Sequence, residues 1–158
     1  LLAASLALFL KPWATSGVDY ALDITTASVP RDAQGNIVLG GPASATEAKE
    51  VKPGQCLFLK LRPAAAMAAP PEVRAYFLSA DAAQPWPLRF QRGASGVLTN
   101  AGDCAAVPAL PAGDWQLHIA VGKNLPEQDA LLQMLRSGQV PSRSGWTVVR
   151  RPLRVLSN

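Results

Sequence analysis

The chain has 158 residues and a formal charge of +4 at pH 7. Hydrophobic residues make up 49% and charged residues only 16%, so a core can form and gross disorder is excluded. Lysine and arginine never run in blocks of five or more, which excludes a basic nucleic-acid-binding tail.

The first stretch, "LLAASLALFLKPW", opens on leucine rather than methionine and is expected to continue a longer chain. Leu1–Leu10 would make about 15 Å of helix, roughly half a hydrocarbon core. Lys11 and Trp13, residue types that settle at a membrane interface, follow at once. Residues 1–13 therefore read as the trailing part of a transmembrane helix or of a signal segment. Ala14 and Ser16 supply the small residues that cleavage of a signal would need. Either reading places residues 18–158 on the extracytoplasmic, periplasmic side, where a disulfide can persist.

From there the pattern is one of short strands. Val18, Tyr20, Leu22 and Ile24 alternate with polar or small residues at period two. Residues 30–53 are polar and broken by glycine, with room for a short strand at Ile37–Leu39. "GQCLFLKLRP" places Leu57, Leu59 and Leu61 on one face and Cys56, Phe58 and Lys60 on the other. "AAAMAAPPE" reads as a loop, because Pro70-Pro71 stops a helix. "VRAYFLSA" reads as a strand. "PWPLRFQR" reads as another, with Trp86, Leu88 and Phe90 on one face, and "VLTN" as a short return.

"LPAGDWQLHIAVG" is a turn followed by a strand, with Trp115, Leu117, Ile119 and Val121 opposite Gln116, His118 and Ala120. "NLPEQDALLQMLRSG" is the one helix. Pro126 lies near its first turn, Glu127 and Asp129 at its positive end, Arg136 in its last turn and Gly138 just beyond. Its leucines, Leu131, Leu132 and Leu135, are expected to cap an open end of the sheet pair. "WTVVRRPLRVLS" closes the chain as a strand in which Pro152 implies an edge or a bulge. About seven strands with one short connecting helix predict an all-β fold, an immunoglobulin-like or related β-sandwich.

Few residues offer chemistry. His118 is the only histidine, with no H-E-x-x-H around it and no G-x-S-x-G elbow elsewhere. Its parity sets it opposite the apolar face, so it reads as a surface strand residue. A hydrolase using His118 is the remote alternative, because triad partners need not be near in sequence. Cys56 and Cys104 lack C-x-x-C spacing and are expected to form a structural disulfide worth about 4 kcal/mol by loop closure. Asp19 and Asp23 would stand about 13 Å apart on one strand, too far for a glycosidase pair. Trp86, Trp115 and Trp146 each fall on an apolar face and read as core rather than as a binding platform. Arg150, Arg151 and Arg154 could bind an acidic partner, though charge on a strand edge also guards against aggregation. No residue set implies a metal or another cofactor.

In layout, "LLAASLALFLKPW", "GQCLFLKLRPA", "VRAYFLSADAAQPWPLRF", "GVLTN" and "LPAGDWQLHIAVGKNLP" together resemble the extracytoplasmic region of bacterial single-pass membrane proteins of the anti-sigma-factor type. The resemblance implies a non-catalytic sensor or signalling domain whose partner is a protein or an envelope ligand. It carries over no functional residues. A periplasmic or secreted module binding a ligand or protein is the alternative reading.

Overall fold

A computed structural model describes residues 18–26, 47–102, 104–140 and 145–157. Residues 1–13 and the expected strand at Ile37–Leu39 lie outside these. The described residues form an all-β sandwich of ten strands and one α-helix. The strands are β1 (Tyr20–Thr26), β2 (Lys49–Val51), β3 (Cys56–Pro63), β4 (Glu72–Leu78), β5 (Ala83–Trp86), β6 (Phe90–Arg92), β7 (Leu98–Asn100), β8 (Ala105–Ala106), β9 (Gly113–Gly122) and β10 (Trp146–Val155). The helix α1 (Gln128–Ser137) joins β9 to β10.

One sheet runs β1-β3-β7-β6, with β8 also on β3; the other runs β2-β10-β9-β4-β5. All pairs are antiparallel except β2 with β10. The orders β1-β3-β7-β6 and β10-β9-β4-β5 match A-B-E-D against G-F-C-C′ of immunoglobulin-type sandwiches. The excess over seven strands comes from β2 and β8, pieces of three and two residues too short for a periodicity to register, and from the division of "PWPLRFQR" into β5 and β6.

Period-two alternation builds the core between the sheets. Leu57, Leu59 and Leu61 point inward from β3, and Trp115, Leu117, Ile119 and Val121 from β9. Register sets Leu22 beside Leu61, Phe77 beside Leu117 and Val149 beside Ile119. Phe77 also meets Trp86 with ring centroids 4.8 Å apart. Trp86 and Trp115 satisfy their indole N–H groups on the carbonyls of Ala106 and Pro111.

"PWPLRFQR" is not one strand. Trp86 ends β5 in one sheet, and Phe90 opens β6 in the other. Pro85 sits on an edge strand, where a missing N–H is tolerated, and Pro87 then stops the ladder. The Leu88 N–H bonds the Trp86 carbonyl at 2.8 Å, a tight turn that sends the chain across. Pro152 lies inside β10, but β2 pairs only with Leu153–Val155. Through Pro152 the described residues give β10 a neighbouring strand on one side alone.

The helix keeps the ends expected of it, with Asp129 in its first turn, Arg136 in its last, and Gly138 in the left-handed conformation at φ 69°. Its position differs. It does not close an end of the sandwich but lies on the outer face of the second sheet. There Leu131 and Leu135 pack with Tyr76, Leu78, Ala120, Leu125 and Trp146 in a second apolar cluster. That outer face carries Tyr76, Leu78, Ala120 and Trp146, an apolar surface that must be covered by something. The loop into α1 is pinned by Arg74, which donates to the Pro126 carbonyl, hydrogen-bonds Tyr76 and pairs with Glu72 at 3.7 Å.

Candidate functional site

The outer face of the second sheet also holds a shallow cleft of about 760 Å³. Gln116 and His118 of β9 line it together with Leu78, the Ser79–Asp81 turn, Arg136 at the end of α1, and Pro152 and Arg154 of β10. His118 is flanked across the strands by Tyr76 and Arg150.

His118 lies on the face that its parity assigns it, but it is not a surface residue: its relative exposure is 4%. α1 covers this face, and period-two parity cannot reveal a cover supplied by a later segment. The His118 Nε2 and Gln116 Oε1 lie 3.0 Å apart, so the tautomer with a proton on Nε2 donates to the carboxamide. Nδ1 is then a buried acceptor with no hydrogen-bond partner among the described residues. Burial, and after it the nearby positive charge of Arg150, push the His118 pKa from 6.5 down to about 4. The ring is neutral at pH 7.

Among the described residues, this arrangement does not assemble a nucleophile and base. The Ser79 hydroxyl shares its line of the cleft with His118, but it accepts from the Ala82 N–H at 3.1 Å and holds the β4–β5 turn. Among the described residues, neither nitrogen of His118 reaches a serine or a carboxylate, as a triad requires. Among the described residues no three His, Cys, Asp or Glu side chains gather as metal ligands. Asp23 pairs with Arg62 at 2.6 Å, and the Asp19 carbonyl accepts from the Ala64 N–H.

The three arginines of β10 do not form one patch. Arg150 and Arg154 share the outer face, and Arg154 is engaged by Asp114 at 3.0 Å. Arg151 has the opposite parity and donates to the Leu22 carbonyl of β1 at 2.9 Å. Lys49 does the same for the Ile24 carbonyl at 2.9 Å, and burial lowers its pKa. Two cations of one sheet thus cap edge carbonyls of the other and close that seam of the sandwich. The pattern "RRPLR" gave no sign of this division, because a one-residue step reverses the face.

Cys56 and Cys104 are joined, with Cα atoms 5.1 Å apart and a sequence separation of 48. The bridge ties the start of β3 to the residue before β8 and so lies within one sheet. Close by, the Asn100 Oδ1 accepts from the Leu59 N–H at 2.8 Å, serving a backbone donor between the β7 and β8 pairings. Sequence reasoning missed Asn100, Gln116, Asp81 and Arg136. Only Gln116 left a signal, its shared parity with His118.

Comparison with protein-family models, with curated proteins and with solved structures finds no match.

Proposed function

We propose that this chain is an extracytoplasmic β-sandwich domain, held to a membrane through residues 1–13, that acts by binding and without catalysis. The anti-sigma-like layout gives the particular form of the reading: a sensor or signalling domain that engages a protein or envelope ligand. The observation that carries the location is the Cys56–Cys104 bridge, since such a bond persists outside the reducing cytoplasm. The hydrogen bond of His118 to Gln116, with no nucleophile on the ring among the described residues, supports a non-catalytic role. A periplasmic or secreted ligand-binding module is the second reading, and the cleft beside His118 favours it. Hydrolysis through His118 ranks last.

The test is thiol labelling of the full chain in spheroplasts with a membrane-impermeant maleimide. Cys56 and Cys104 are expected to resist labelling until an impermeant reductant is added, and then to react without lysis. Labelling only after lysis would overturn the extracytoplasmic reading, and labelling of intact spheroplasts before reduction would overturn the bridge on which it rests.

A further inference from the structure

The loop between β3 and β4 has no role in the sandwich core. Ala64–Pro71, "AAAMAAPP", contains no charge and no hydrogen-bond donor in its side chains, and none of its residues is buried. Five of the eight are exposed: Ala64, Ala65, Ala66, Ala68 and Pro70. The loop is nevertheless held. The Ala64 N–H bonds the Asp19 carbonyl at 2.8 Å, the Tyr20 hydroxyl reaches the Met67 sulfur, and Arg92 donates to the Met67 carbonyl. Two of these three anchors lie on residues 19 and 20, where the N-terminal chain enters the sandwich.

A second segment of similar composition, Ala105–Ala112 or "AAVPALPA", gives a contrast. It buries Ala105, Val107 and Leu110 in the core, which accounts for its apolar character. No burial accounts for that of Ala64–Pro71. The two lie at opposite ends of the sandwich, since one follows the last residue of β3 and the other pairs with its first. β3 has eight residues, so the ends are about 25 Å apart.

The geometry points to the Ala64–Pro71 loop as a foot that rests on the lipid surface beside the membrane-linked N-terminus. This inference depends on the tether proposed above. Trp13 is six residues before Asp19, and a chain of that length spans at most about 20 Å. If Lys11 and Trp13 mark the interface, the loop end of the sandwich lies within reach of it and the far end does not. Small apolar side chains then enter the headgroup boundary, and Arg92 at the base of the loop stands beside lipid phosphates.

The full chain is reconstituted in vesicles of phosphatidylcholine and phosphatidylglycerol at about 7:3, an anionic surface. A nitroxide is placed through Ala66→Cys or, at the opposite end, through Ala112→Cys, and its collisions with oxygen and with a nickel chelate are compared. The expected oxygen-to-nickel ratio is about twofold or more higher at position 66 than at 112. Adding the exposed pair Ala65→Asp and Ala68→Asp is expected to erase that difference. Vesicle-bound protein with equal ratios at 66 and 112 would overturn the foot and leave the tether standing. Protein that stays in the supernatant would overturn the tether and the foot together.

Discussion

Replacing His118 with methionine tests how the second sheet and its helix are held together. In the folded chain His118 is 4% exposed and its pKa is pushed down to about 4, first by burial and then by Arg150. In the unfolded chain it returns to about 6.5. Between these values the unfolded state binds a proton that the folded state refuses. Stability is therefore fully present above pH 6.5 and is lost as pH falls toward 4. The shift corresponds to about 3 kcal/mol in all, of which about 2 kcal/mol is lost between pH 7.5 and pH 5. His118 is the only histidine, so no other imidazole contributes to this window. Methionine fills a similar volume without titrating, at the cost of the Gln116 hydrogen bond, about 1 kcal/mol. Urea unfolding of both proteins at pH 7.5, 6 and 5 reads the difference. The wild type should fall by about 2 kcal/mol over that range and the His118→Met protein by much less. Equal pH slopes in the two proteins would refute the claim that α1 buries a neutral imidazole.

Gly122→Ala should be among the most damaging single changes. Its added Cβ would lie 2.4 Å from the Cα and Cβ of Trp146, at a φ of +155° that L residues rarely adopt. A loss of about 3 kcal/mol or more is expected, seen as a large drop in the thermal midpoint. Asn100→Ala removes the acceptor for the buried Leu59 N–H and should cost about 1–3 kcal/mol by denaturant titration. A stability unchanged by that substitution would mean that the donor finds another partner. The double change Cys56→Ser and Cys104→Ser should lower stability by up to about 4 kcal/mol, and reductant should then have no further effect. Leu131→Ala empties a fully buried site beneath α1 and should cost about 2–5 kcal/mol. Amide exchange should rise in Gln128–Ser137 before it rises in β3 or β9.

The faces of the long strands were legible from residue order. Leu57, Leu59 and Leu61, and Trp115, Leu117, Ile119 and Val121, fall inward because a strand turns alternate side chains to opposite sides whatever it pairs with. The ends of α1 were legible for the same local reason: Asp129, Arg136 and Gly138 act on the turn in which they sit. The sandwich class followed from these short, punctuated segments. What pairs with what was decided only in three dimensions. The division of "PWPLRFQR" between sheets, the placing of α1 over the second sheet, the burial of His118 and the turning of Arg151 to the Leu22 carbonyl each depend on residues far apart in the chain. Alternation assigns a side chain to a face of its own strand. Whether that face meets water, a helix or the other sheet is settled by long-range register and burial, which no local pattern encodes.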